Sequence, residues 1–174
     1  MTTTPNNPAS GTGTKPFIIS RIFDAPRALV WQAWADADTL MKWFGPKGFT
    51  ITYAKLDLRP GGTFLYGMKT PEGKEMWGKF VYREITAPER IILVNSFSDA
   101  AGGVTRHPMS PTWPLEMLTT ATFEDENGKT KLTIRWEPIN PTDTERQTFD
   151  GMHGSMNQGW GGTFDKLAEF LAKG

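Results

Sequence analysis

Two histidines, His107 and His153, are the first side chains to weigh for chemistry in this 174-residue chain. An imidazole titrates near neutrality and can move a proton, provided a reacting group lies within hydrogen-bond reach. His153 sits beside Met152 in a helical stretch and can face an interior; His107 sits in a long loop. Neither has the spacing of a zinc motif and no carboxylate pair accompanies them, so no metal site is expected. The plainer reading of each is a hydrogen-bonded or exposed histidine. Glu84, Glu116, Asp150 and Arg135 can place charge at a cavity wall, where a buried charge needs a partner; solvation is the alternative. Ser155 and the threonines have no visible His–acid arrangement to activate a hydroxyl. The chain has no cysteine, which excludes disulfides, thiolate zinc sites and a cysteine nucleophile. No catalytic residue, metal or cofactor is assigned.

What the chain has in excess is aromatic and apolar surface, with seven Trp and eight Met. Methionine adapts to irregular space, and Trp and Tyr offer an apolar body with a polar tip. Strand parity and helical spacing select Tyr66, Met68, Phe80, Tyr82, Phe97, Met117, Trp136, Met152, Met156 and Trp160 as a candidate cavity lining. Plain core packing is the alternative for every one of them. His107, Trp113, Arg135 and His153 are candidate polar or rim groups.

The elements that must position these residues follow from periodicity and punctuation. Phe17 to Phe23 is a β-branched and aromatic run, hence a strand. Asp24-Ala25-Pro26 offers an acidic cap and a proline for a first helical turn; Val30, Trp31 and Trp34 then share a stripe. A second short helix is expected from about Asp38 to Phe44, stopped by Gly45-Pro46. Extended segments follow over Thr50–Leu58, Thr63–Met68, Glu75–Ile85, Arg90–Phe97, Leu115–Glu124 and Lys129–Trp136. Arg59-Pro60-Gly61-Gly62 turns the chain between the first two, and Asn127-Gly128 marks a tight hairpin between the last two. Ser98 to Pro114 is a long loop, read as a lid or rim or else as an ordinary surface loop.

Thr142 and Glu145 have the spacing of a capping box and open a long terminal helix. Its stripe is Phe149, Met152, Met156, Trp160, Phe164, Leu167 and Leu171. Gly151, Gly154, Gly159, Gly161 and Gly162 conflict with helix formation by about 0.5–1 kcal/mol each. They imply a helix that bends to admit ligand, close packing on the sheet, or a break at Gly161-Gly162. An antiparallel sheet with a long terminal helix across it is an α+β architecture. Because a strongly curved sheet cannot press flat on a helix, space can remain between them.

Bulk properties narrow the partners. Lys and Arg number 19 against 19 Asp and Glu, and no basic tract is interleaved with aromatics, so nucleic acid is not an expected partner. No apolar run approaches the roughly 18 residues of a membrane span. Residues 1–15 are polar and rich in Thr, Pro, Asn and Gly; they predict a disordered tail before one domain over 16–174. The expected location is cytoplasmic, and the sequence does not give an oligomeric state.

Several short motifs, in this order and spacing, resemble the AHSA1-like group, named after the activator of the Hsp90 ATPase. They are Trp31-x-x-Trp34, Lys42-Trp43-Phe44-Gly45-Pro46, Arg59-Pro60-Gly61-Gly62-x-Phe64, Gly78-x-Phe80, Glu84-Ile85 with Pro88-Glu89-Arg90-Ile91, Thr122-Phe123-Glu124, and Gly159-Trp160 before Phe164-Asp165-Lys166-Leu167. The resemblance covers about residues 16 to 172. It implies the helix-grip fold of the START-like or SRPBCC superfamily, also seen in Bet v 1-like proteins: a curved antiparallel sheet around a long C-terminal helix, with two short helices after the first strand. It also implies an apolar cavity between sheet and helix. Relatives in the superfamily bind lipids, polyketides and plant hormones, and some cyclise or hydrolyse ligands. The expected function is binding of a small hydrophobic or amphipathic ligand. The rivals are a co-chaperone-like interaction module contacting an Hsp90-class chaperone, and a cavity-based cyclase or hydrolase.

Overall fold

A computed structural model describes residues 15–108 and 110–173. The tail read from the sequence therefore lies outside the described residues except for Lys15, and so does Met109. The elements run β1 (Phe17–Phe23), α1 (Arg27–Trp34), α2 (Ala37–Trp43), β2 (Thr50–Leu56), β3 (Thr63–Lys69), β4 (Glu75–Thr86), β5 (Arg90–Ser98), β6 (Val104–Thr105), β7 (Met117–Glu126), β8 (Lys129–Pro138), α3 (Asp143–Gly151) and α4 (His153–Ala172). The strands form one antiparallel sheet in the order β1-β8-β7-β5-β4-β3-β2, with the two-residue β6 paired to β5. β1 and β2 are thus the two edges, and α1 and α2 carry the chain from one edge to the other. This is the α+β helix-grip arrangement, with α4 lying against β1 and α2.

Bulges and glycines bend the sheet. Register shifts fall between Ile51 and Tyr53 in β2 and between Tyr82 and Glu84 in β4, and an extra residue on one strand increases local twist. β3 and β4 exchange an aromatic–glycine pair: Tyr66 stands opposite Gly78, and Gly67 opposite Trp77. A Cβ at Gly78 would lie 2.4 Å from the Tyr66 hydroxyl, and one at Gly67 would lie 3.1 Å from the Trp77 ring. Each ring lies on bare backbone that a side chain would block. Alternate residues of β4 from Met76 to Tyr82 are buried, as an antiparallel strand with one covered face requires. The β7–β8 turn has Asn127 at φ 57° and Gly128 at φ 88°, the positive values that a two-residue hairpin demands.

The helix ends differ from the sequence reading in three places. Pro26, not Asp24, is the α1 N-cap, and no side chain caps that helix. The α2 helix ends at Trp43: Phe44 is already extended, and Gly45 at φ 94° redirects the chain. At its other end the Asp36 carboxylate caps α2 by accepting from Thr39 N at 3.1 Å. The terminal helix is two helices. Thr142 and Glu145 form the expected capping box, each side chain accepting from the other's backbone N–H at 3.1 Å. The first helix stops at Gly151, Met152 breaks the geometry, and α4 then runs straight through Gly161-Gly162. Close packing accounts only for Gly162, where a Cβ would crowd Lys47 at 3.2 Å; at Gly151, Gly154, Gly159 and Gly161 a Cβ would meet open space.

The interior is densest where α1, α2 and the second half of α4 meet the sheet. Phe23, Trp43, Phe123 and Phe164 are fully buried there, and Phe164 meets Phe23 edge-on at 5.5 Å between centroids. Trp31 and Trp34 pack on Phe123 at 5.2 and 5.9 Å. Asp165 clamps this end from outside, pairing with Arg21 of β1 at 2.7 Å and with Lys47 at 2.9 Å. Hydrogen bonds from Lys47 and Arg21 hold its carboxyl below the usual range. Among the described residues no helix is long and apolar enough to cross a membrane.

Candidate functional site

Beyond Trp160 the interior is no longer filled. Trp160 stacks on Trp34 at 6.4 Å and meets Trp136 edge-on at 5.7 Å, so three indoles form a partition across the fold. On its far side lies a cavity of about 370 Å³ between the sheet and the first half of α4. That volume lies within the roughly 300–1,000 Å³ of ordinary small-molecule sites.

Each wall comes from a different element. β3 supplies Tyr66 and Met68, β4 supplies Phe80, and β5 supplies Leu93, Asn95, Ser96 and Phe97. Thr119 of β7 and Trp136 of β8 extend the floor, and Phe44, Gly45 and Pro46 close one side. α4 contributes Ser155, Met156, Gly159, Trp160 and Thr163, with Met152 at the rim, 42% exposed. The helix glycines matter here: Gly159 faces the cavity with no side chain to fill it. The loop over 99–116 completes the wall with His107, Ser110 and Trp113.

That loop is tethered to the terminal helices. Arg106 pairs with Glu145, whose other oxygen serves the capping box, and Thr148 Oγ1 lies 2.9 Å from Thr112 Oγ1. The His107 ring packs on Phe97 at 4.4 Å, and Trp113 reaches Phe149 at 6.0 Å. Burial pushes the His107 imidazole below its ordinary pKa, so it is neutral at pH 7.

The structure brings Tyr66, Met68, Phe80, Phe97, Trp136, Met152, Met156 and Trp160 around the cavity, together with His107 and Trp113. Four other candidates lie elsewhere. Tyr82 and Met117 point inward but are sealed in the core, at 3% and 2% exposure. Strand parity fixes the face of a sheet and not whether a neighbour covers it. Arg135 points outward and pairs with Glu137 at 3.0 Å. His153 is wedged edge-on between Phe17 and Phe149, at 5.7 and 5.2 Å, and its Nε2 has no hydrogen-bond partner among the described residues. The carboxylates weighed for a wall do not line it either: Glu84 accepts from Arg90 at 2.6 Å, and Asp150 is exposed.

Two polar residues that the sequence reading passed over lie on the cavity floor. Thr119 Oγ1 donates to Asn95 Oδ1. In the β5–β7 register Asn95 faces Met117 and Leu93 faces Thr119, so the pair is diagonal, within reach of their side chains. Both are polar residues at inward positions of apolar strands, a signal legible in the sequence. Neither group titrates near neutrality, so the pair can hold a hydrogen bond but cannot supply a proton shuttle at pH 7. Tyr66 is deep in the fold yet keeps accessible surface, which faces the cavity; burial raises its phenol pKa, so it stays protonated. Among the described residues no group of His, Cys, Asp and Glu is placed to hold a metal ion.

A family model described as "Activator of Hsp90 ATPase homolog 1-like protein" matches residues 24–172. Among solved structures, a protein of Nitrosomonas europaea is 26% identical, with a TM-score of 0.71 over 91% of this chain and 94% of that one. A Mycobacterium smegmatis protein, 24% identical over 91% of each chain, superposes with a TM-score of 0.73. The AHSA1 protein of Silicibacter pomeroyi, 20% identical over 91% of this chain and 98% of that one, has a TM-score of 0.67. The last two likenesses bear on fold alone. No curated protein matches the chain.

Proposed function

Because the chain belongs to the activator of Hsp90 ATPase homolog 1-like family, with an unfilled interior behind the three-indole partition, we propose that it binds a small apolar or amphipathic molecule in that cavity. Residues 16–174 act as the one binding domain, in the cytoplasm, and the bound molecule leaves unchanged. The observation that carries this reading is the lining: about 370 Å³ walled by aromatic rings, methionines and a few neutral polar groups. Burying apolar ligand surface there contributes about 25 cal/mol per Å² before the entropy of association is subtracted. The wall offers aromatic surface on all sides and polar atoms only at particular points, the usual division between affinity and orientation.

Native mass spectrometry of freshly purified protein, paired with titration of the neutral dye N-phenyl-1-naphthylamine, tests the proposal. A retained small molecule, or saturable dye fluorescence that the retained molecule displaces, is the expected result. Protein that carries nothing and binds no dye would overturn it.

The family's description motivates a second reading, contact with an Hsp90-class chaperone. Its test is a pull-down against a purified chaperone with its ATPase rate followed in parallel. No contact and no change in rate would end that reading without touching the first.

A further inference from the structure

We infer that the cavity selects an uncharged over an anionic compound, one that carries an acceptor oxygen, and that the Asn95 carboxamide is the group that reads that oxygen. The inference rests on the binding function proposed above and adds the class of molecule.

Charge is the first argument. Among the described residues, no Lys, Arg, Asp or Glu lines the cavity. Cations next to wall residues are already engaged: Arg106 pairs with Glu145, Lys47 pairs with Asp165, and Lys166 Nζ donates to the carbonyls of Phe44 and Pro46 at 3.4 and 3.3 Å. A carboxylate brought to the floor would lose its water and find no counter-ion, and a buried unpaired charge is far more costly than a buried neutral group. Burial keeps His107 neutral, so it supplies no positive charge at pH 7. A fatty acid therefore does not match the wall.

Hydrogen-bond direction is the second argument. Thr119, 3% exposed, donates its hydroxyl proton to Asn95 Oδ1. That bond engages one lone pair of the carboxamide oxygen and orients the NH₂ group, which has two donors. Asn95 lines the cavity, and its bond to Thr119 leaves the NH₂ group uncommitted by that pair. Unused donors on the wall call for an acceptor on the ligand, and a ketone, ether or lactone oxygen supplies one. Thr119 acts as a positioning residue, because it fixes which end of Asn95 faces the ligand.

Three naphthalenes test this by fluorescence titration of the full chain. The first is prodan, with a dimethylamino group at one end and a propionyl ketone at the other. The second lacks the propionyl group, and the third has a carboxylate in its place. Prodan should bind about five- to tenfold more tightly than the parent, the worth of one hydrogen bond. The carboxylate should bind at least about tenfold more weakly than prodan. Asn95→Leu should abolish the difference in affinity between prodan and the parent. Should that variant fail to fold, Asn95→Asp keeps the shape, replaces donors by acceptors, and should lose prodan in the same way. Prodan binding no better than the parent, with Asn95→Leu silent, overturns the Asn95 assignment while the cavity reading stands. A carboxylate that matches prodan overturns the selection for uncharged compounds. If none of the three binds, the binding function itself falls, and this inference with it.

Discussion

The two halves of the interior share one sheet and one helix, yet one is packed and the other hollow. On the packed side, α1 and α2 send Trp31, Trp34 and Trp43 inward, and α4 answers with Phe164 and Leu167, both fully buried. On the hollow side, α4 offers Ser155 and Gly159 beside Met156 and Trp160. The difference lies in side-chain volume, since the backbone of α4 is regular along its whole length. The cavity in this fold thus lies where small inward residues of the helix, Ser155 and Gly159, interrupt larger ones such as Met156 and Trp160.

The sharpest way to break the comparison is truncation on both sides. Phe164→Ala should destabilise by about 3–5 kcal/mol in urea unfolding, because a fully buried ring leaves a void the packed side cannot collapse. Phe97→Ala, at the edge of an existing hollow, should lose under about 1.5 kcal/mol. Equal losses would mean that the two halves are not physically distinct.

Filling the hollow comes next. Gly159→Leu places a side chain where a Cβ meets nothing within 4 Å. It should weaken binding of the neutral dye by about tenfold or more, near 1.4 kcal/mol, without lowering the melting temperature. A variant that binds dye as before would place the dye elsewhere.

Glu145→Ala removes half of the capping box and the partner of Arg106 together. A loss of about 1–2 kcal/mol is expected, mostly from the cap, since Arg106 is half exposed and its pairing is screened. Hydrogen exchange should also quicken in the loop that carries His107 and Trp113. Unchanged exchange there would show that the ring contacts alone hold the rim.

Gly154→Ala should stabilise α4 by about 0.5–1 kcal/mol, because its Cβ meets open space and helical glycine is entropically poor. If the glycines let the helix open for ligand, exchange from Phe149 to Phe164 should be fast in the free protein and slower in the variant. Strong protection over that stretch without ligand would remove the gating role.

The smallest effect is on pH. The fold depresses the His107 pKa, so it favours the neutral form. That contribution is complete above the unfolded value of about 6.5 and is lost as pH falls through the folded value. The melting temperature should therefore decline slightly from pH 7 to pH 5, and His107→Gln should flatten that part of the curve.

How much of this was legible beforehand differs between fold and site. The alternation in β3 and β4, the Asn127-Gly128 hairpin and the Thr142–Glu145 box are signals spanning a few residues, and each appears as read. The site was harder to read. Tyr82 and Met117 have the parity of cavity residues and are core; Asn95 and Thr119 have the same parity and lie on the cavity floor, outside a lining chosen from aromatic residues and methionines. Of the readings offered for the helix glycines, a break at Gly161-Gly162 does not occur; the break lies at Met152, because glycine propensity is weak beside the packing of a stripe such as Trp160, Phe164 and Leu167.

By itself the sequence determined the elements, the faces they present and the family to which the motifs belong, because periodicity, caps and turn residues act over a handful of positions. Only the tertiary structure decided where volume was left unfilled, which loop was tied to which helix, and that Thr119 and Asn95 pair on the floor of that space. Those features depend on register between strands distant in the chain, and on the difference between the space a curved sheet encloses and the side chains available to fill it.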